Sequence, residues 1–397
     1  MINDVRSAYN QAFTEEKYRA FVQSIHDEFP EQLDFRLAET PVFVPRALTE
    51  KITDVCESII DVVTGPFFKE KTQNAIPAGQ NVPNENAHSS FLAIDFAVCQ
   101  DAAGELIPQL IELQGFPSIF GFQSYVAEKY RTHFPVPASF QNYFGVHNQA
   151  EYIAKLREVI VGKENPENVI LLDIDPKHQK TRVDFAVTEH FLGVKSVCLS
   201  QIKKEGRQLF YENNGQKTPI KRIYNRLIFD DLLNFPDLTT EFDLTDDVDV
   251  TWVGHPNWFF RISKYTMPFL KHRFIPETKF LSEYDGVFPE DLGNYVLKPL
   301  FSFAGSGVNL HVTPADLKSI ADPENYILQR KVIYQPIVEA PDGLVKCEIR
   351  MLYVWPEGDK RPSLLTNLAR LSRGEMIGVR FNKDFTWVGG TTCFFEQ

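Results

Sequence analysis

The segment best equipped for chemistry is YVLKPLFSFAGSGV, residues 295–308. Its spacing predicts a strand that delivers Lys298, a stop at Pro299 and a loop of small residues. That loop holds Ser302, Ala304, Gly305, Ser306 and Gly307 and leads into a further strand, Val308–Val312. Small residues let backbone N–H groups approach phosphate oxygens, and a lysine on a rigid strand supplies a fixed positive charge beside them. No Gly-Lys-Ser/Thr follows the glycines, so this is not a Walker loop. The loop opens a strand rather than a helix, which sets it apart from a dinucleotide fingerprint. Alone, such a strand and glycine hairpin is more often structural than functional.

Two further segments accompany it. The first is YILQ, residues 326–329, followed by Arg330 and Lys331. The second is CEIRMLYV, residues 347–354, a strand on which Glu348, Arg350 and Leu352 share one face. A charged pair on an otherwise apolar strand needs a partner, because burying unpaired charge is costly. Either the pair makes structural ion pairs or it faces a ligand.

Together these segments resemble the ATP-grasp superfamily. YVLKPLFSFAGSGV is similar to its K-P-x-x-(G/S)-(Y/F)-x-G-x-G-V phosphate loop, and YILQ to the hinge strand on which adenine rests. Ordinary members place their metal-binding acidic strands later in the chain, where this sequence has no E-x-N. The missing piece lies upstream, in FLAIDFAVCQDAAGELIPQLIELQGFPS (residues 91–118). It resembles the hairpin of glutathionylspermidine synthases and other circularly permuted ATP-grasp proteins. On that match Asp95, Glu112 and Gln114 take the three magnesium-binding positions. SKYTMPFL (263–270) resembles the family's N-K-x-x-L-P-x-L helix, whose lysine contacts nucleotide phosphate, here Lys264. Gly378-Val379-Arg380 resembles the late G-(I/L)-R, whose arginine faces the transferring phosphoryl group. The likeness covers residues 90–120 and 220–397, and residues 1–75 match nothing that can be named. Ala93 stands where the family has an arginine, Gln114 where it has Asn, and Ser306 where relatives often carry a charge.

The resemblance implies a nucleotide site of Lys264, Lys298, Ser302, Gly305, Ser306, Gly307, Gln329, Lys331, Glu348 and Arg350, with Lys264 and Arg380 as catalytic groups. The cofactors implied are ATP and Mg²⁺, as two ions. Magnesium takes oxygen ligands, often one or two carboxylates with phosphates and water, so Asp95 and Glu112 on adjacent strands suit it. Taken alone, Asp95 reads as a strand-end carboxylate facing solvent.

The elements that must position these groups are readable as well. Residues 1–74 carry helical spacing, as in Ile52-Val55-Ile59-Ile60-Val63. A Pro/Asn-rich loop at 75–87 marks a boundary. Strands are expected at Phe91–Val98 and Gln109–Gln114, joined through the turn Asp101–Gly104. Beyond them ILLDI, a helix over Thr181–Leu192 and VKSVC suggest a small βαβ layer. The acidic stretch 230–249 reads as a solvated connector. A helix at Lys264–Phe269 precedes strands at Tyr295–Lys298, Ile327–Gln329, Glu348–Trp355, Leu364–Leu371, Phe385–Val388 and Thr391–Phe395. The fold class expected is α/β (α+β): a circularly permuted ATP-grasp architecture with a helical segment at 1–85, a hairpin plus α/β layer at 86–255 and a nucleotide-binding domain at 256–397.

Composition narrows the classes. The 397 residues are 43% hydrophobic with 33 Phe, which excludes disorder over most of the chain. Their formal net charge of −12 argues against a general nucleic-acid binder. No apolar run is long enough to span a membrane. The five cysteines (56, 99, 198, 347 and 393) are scattered without a C-x-x-C pair, so a disulfide framework or a zinc cluster is not expected, and the polar start points to a cytoplasmic protein. The activity expected is ADP-forming carboxylate–amine ligation through an acyl-phosphate, with small-molecule or peptide acid and amine substrates that the sequence does not name. An ATP-dependent phosphotransferase and a non-catalytic nucleotide-binding scaffold are the alternatives.

Overall fold

The computed structural model describes residues 3–302, 306–378, 382 and 384–397. Its centre is an antiparallel sheet with strand order Gly389–Thr391, Ser363–Ser372, Gly343–Val354, Phe91–Gln100, Leu106–Gln114; a further strand, Pro336–Ala340, pairs with the start of Gly343–Val354. The expected hairpin is present and longer than its apolar core. Asp101 closes its turn by accepting the backbone N–H groups of Ala103 and Glu105, and Gly104 supplies φ +81°.

The two middle strands are buried on both faces, and the faces differ. Leu92, Ile94, Phe96 and Val98 pack with Val345, Cys347, Ile349, Met351 and Tyr353 against Ile52, Val55, Cys56 and Ile59 of the helix Arg46–Val63. On the other face Phe91, Ala93, Leu352 and Val354 join a second apolar cluster with Phe120, Tyr152 and Tyr224. Along that same face the side chains then become charged, at Asp95, Glu348 and Arg350. The candidate site begins where this second apolar layer stops.

The predicted βαβ unit is observed. Val169–Asp173 and Lys195–Cys198 run parallel on either side of the helix Arg182–Leu192 in sequence, and the sheet continues through Arg222–Asn225 and Thr251–Val253. A three-stranded antiparallel sheet spans Lys203–Glu205, Gln208–Asn213 and Gln216–Ile220. Another, ordered Thr278–Phe280, Tyr326–Arg330, Tyr295–Pro299, carries the lysine strand. Cys393–Glu396 lies between Val42–Val44, to which it is parallel, and Phe140–Gln141. No helix among the described residues is long and apolar enough to cross a membrane.

Five expectations are corrected. Among the described residues up to 74, the helices Asn3–Ala12, Glu15–Glu28, Arg46–Val63 and Phe68–Lys71 are separated by an irregular stretch at 29–41 and the strand Val42–Val44. Val308–Val312 forms only the single bridge Leu297↔Asn309. There the side chain of Asn309 accepts the N–H of His311 and Thr313 caps the helix Pro314–Ser319, local bonds that compete with a ladder. Phe385–Val388 is not a strand, since Trp387 sits at φ +59°. Lys264–Phe269 is a 3₁₀ rather than an α-helix, with Pro268 inside it. In the acidic stretch, Phe242, Leu244 and Val248 are buried against Trp252, so that connector is anchored rather than wholly solvated.

Candidate active site

Strand register brings the first group of residues together. Asp95 lies directly opposite both Glu112 on one neighbouring strand and Arg350 on the other, and Glu348 lies opposite Arg370. Arg350 donates to Asp95 through Nε and Nη2, each at 2.6 Å, a bidentate pair with Asp95 only 1% exposed. Arg370 Nη2 reaches Asp95 at 3.3 Å and also pairs with Glu348 Oε1. The other Glu348 oxygen accepts the Tyr334 hydroxyl at 2.7 Å. Burial alone would depress the Arg370 guanidinium, but Glu348 and then Asp95 outweigh it and hold its pKa above the usual range. Burial, with Glu348 beside it, raises Tyr334 far above an ordinary phenol, so it is a neutral donor at physiological pH.

The second group approaches from the hairpin side. A bulge between Asp95/Phe96 and their partners leaves Ile111 without an opposite residue. Its carbonyl accepts Lys298 Nζ at 3.1 Å. Lys264, 4% exposed, sits 3.4 Å from Glu112 Oε1 and donates to the carbonyl of Ser302 at 2.6 Å. Burial lowers Lys298 to about 8, partly offset by Glu112, with Lys264 pushing further down. The lysines reach this point from different segments, Lys264 from a 3₁₀ turn and Lys298 from a strand of the small sheet.

The remaining candidates divide. Gln329 shares a strand face with Lys298, because Val296 opposes Gln329 while Lys298 opposes Ile327. Gly307 needs its φ of +69°, and a Cβ there would stand 3.0 Å from Pro299 Cγ. Ser306 is exposed beside it. Lys331 is not brought to the other lysines by any contact: its ammonium donates to the Gly293 carbonyl at 2.8 Å. Gly305 and Arg380 lie outside the described residues. Asp95 does not face solvent, and Glu348 and Arg350 both make ion pairs. Arg370, Tyr334 and the Ile111 carbonyl were not singled out from sequence. Arg370 interrupts an apolar strand just as Arg350 does, which was the available signal.

As a set, Asp95, Glu112 and Gln114 do not fit a divalent cation. Both Asp95 oxygens are taken by guanidinium donors, and Glu112 faces an ammonium. Gln114, half-buried opposite Ala93, contributes no charge. Among the described residues no three His, Cys, Asp or Glu side chains are grouped as a metal would require. What the arrangement does offer is a set of buried or half-buried cations, with Lys264 held against the Ser302 carbonyl, suited to an anion.

Comparison with solved structures bears on the fold. A glutathione synthetase-like effector from Globodera pallida, solved in its apo form, superposes with a TM-score of 0.58 over 97% of this chain and 98% of that one, at 12% identity. The fold is glutathione synthetase-like. This is an ATP-grasp-like α+β architecture, as the motifs implied. No protein-family model matches the sequence, and no curated protein matches it. Within the glutathione synthetase-like fold the hairpin Phe91–Gln114 and the strand Gly343–Val354 are immediate neighbours although they lie far apart in the chain.

Proposed function

We propose that the chain binds ATP and uses it to join a carboxylate to an amine, and that its chain order is that of a circularly permuted ATP-grasp protein. The observation that supports this most is the convergence of Lys264 and Lys298 on residues 111–112 of the hairpin, directly under Ser302. Two ammonium groups fixed by burial suit the β- and γ-phosphates, and the Gly307 turn suits close approach of the nucleotide.

In the proposed reaction a carboxylate oxygen attacks the γ-phosphorus in line and the bond to the β-phosphate oxygen breaks. ADP leaves and an acyl-phosphate forms. The amine nitrogen then attacks the acyl carbon, the C–O bond to phosphate breaks, and the nitrogen loses a proton to give the amide. Lys264 and Lys298 hold the polyphosphate and offset the charge that spreads over the transferring oxygens. Arg380 is proposed to face that group. Positioning and electrostatics supply the catalysis, so no covalent enzyme intermediate is needed. The reaction is proposed for the cytoplasm.

A second reading, a nucleotide-binding scaffold without turnover, is favoured by one observation: every carboxylate oxygen of Asp95 and Glu348 already accepts from a guanidinium or a phenol. An ADP-release screen across amino acids, short peptides and polyamines, with mass analysis of products, separates these readings. ADP with an amide supports ligation. ADP with a phosphorylated compound replaces it with phosphotransfer, and nucleotide binding without turnover across the panel leaves the scaffold.

A further inference from the structure

The charged face of the central sheet holds four cationic side chains, Lys264, Lys298, Arg350 and Arg370, against three carboxylates, Asp95, Glu112 and Glu348. The surplus is therefore positive. A site that recruits Mg²⁺ beside a nucleotide needs one or two carboxylates with oxygens left open towards the ion, the phosphates supplying the rest.

Each oxygen of Asp95 and Glu348 already accepts from a guanidinium or a phenol. Cross-strand register fixes these pairs, since Arg350 opposes Asp95 and Arg370 opposes Glu348 residue for residue. An incoming metal ion would have to displace a bidentate guanidinium and leave it buried without its counter-ion, which is strongly unfavourable. Among the described residues, Nη1 of Arg350 and Nη1 of Arg370 make no hydrogen bond to protein. Both guanidiniums therefore keep donors that can turn to an anion.

We infer that this site holds the polyphosphate of a nucleotide without a divalent cation, the Asp95-bound guanidinium of Arg350 standing where a metal ion would otherwise sit. The inference rests on the nucleotide-binding reading above and departs from the two magnesium ions that the sequence motifs imply.

The test uses the full chain and ATP, titrated calorimetrically once with Mg²⁺ and once with excess EDTA. Dissociation constants that agree within about threefold are expected, a difference under 1 kcal/mol. Binding that weakens by about tenfold or more in EDTA overturns the inference while leaving the nucleotide reading standing. Absence of binding in both buffers removes the nucleotide reading and the inference with it. A second measurement needs no nucleotide. Titrated with Mn²⁺ and read by electron paramagnetic resonance, the wild-type chain should leave the ion free, and bound Mn²⁺ would overturn the inference. Arg350→Met should free Oδ1 of Asp95 opposite Glu112, with Arg370 keeping its 3.3 Å contact to Oδ2, and create Mn²⁺ binding. A folded variant that gains none shows that Arg350 does not occupy a cation position.

Discussion

The ammonium of Lys264 donates to the carbonyl oxygen of Ser302 at 2.6 Å. One lysine thereby ties a 3₁₀ turn to the start of the phosphate-loop candidate while also sitting 3.4 Å from Glu112. Loop, turn and hairpin share a single charged contact.

Lys264→Met should keep the fold, since the side chain is a buried apolar stem with a polar tip and Met matches the stem. It should weaken ATP binding by about 1.5–3 kcal/mol, the range for a charge-assisted contact. Calorimetry checks this, and an unchanged affinity would take Lys264 out of the phosphate site.

Lys298 should make nucleotide affinity pH-dependent. Burial holds its pKa down to about 8, so the free protein carries the charged form below that value and loses it above. Affinity should therefore fall as pH rises through about 8, whereas Lys298→Arg, whose guanidinium stays charged, should show no such step. A wild-type profile that is flat from pH 7 to 9 would contradict the assignment.

Asp173 gives a second pH signal, in stability. It ends the strand Val169–Asp173, is 5% exposed, and burial raises its carboxyl to about 7. The folded state thus binds a proton that the unfolded chain releases near pH 4. The stabilisation is complete below the unfolded value and is lost as pH rises through the folded one. Urea unfolding between pH 4.5 and 8 should show a decline that Asp173→Asn flattens. Parallel profiles for the two proteins would place the titration elsewhere.

Gly389→Ala should destabilise the fold by about 2–4 kcal/mol, because the position combines φ +127° with a Cβ that would lie 2.5 Å from the Arg36 carbonyl oxygen. A shift in thermal midpoint of only a degree or so would mean that the backbone there gives way easily.

The hairpin, the βαβ unit and the lysine strand were legible because each announces itself locally, by an apolar run, by Asp101 and Gly104 at a turn, or by a proline stop after Lys298. The partners of Asp95 were not. Its pairing with Arg350 depends on two strands whose register is set by distant packing, and a shift of one residue would have turned Asp95 to the other face. Arg370 escaped notice for the same reason: its counter-ion Glu348 is identified only once Ser363–Ser372 is aligned with Gly343–Val354. Val42–Val44 was hidden among helices because a three-residue strand has no periodicity of its own, and its partner lies at residues 393–395. Val308–Val312 looked like a strand by composition, but Asn309 and Thr313 spend their side chains on nearby backbone.

The placement of Cys393–Glu396 between Val42–Val44 and Phe140–Gln141 has a consequence for the order of events during synthesis. A nascent chain cannot close this three-stranded layer until residue 396 has left the ribosome, and the central sheet likewise waits for Gly343–Val354 to meet Phe91–Gln100. Until then the apolar faces of the helix Arg46–Val63 and of the hairpin are held open to solvent. Closure of both layers therefore waits on contacts of high sequence separation, residues 42–44 with 393–395 and 91–97 with 348–354, which the chain must hold back from wrong partners until the later strand arrives.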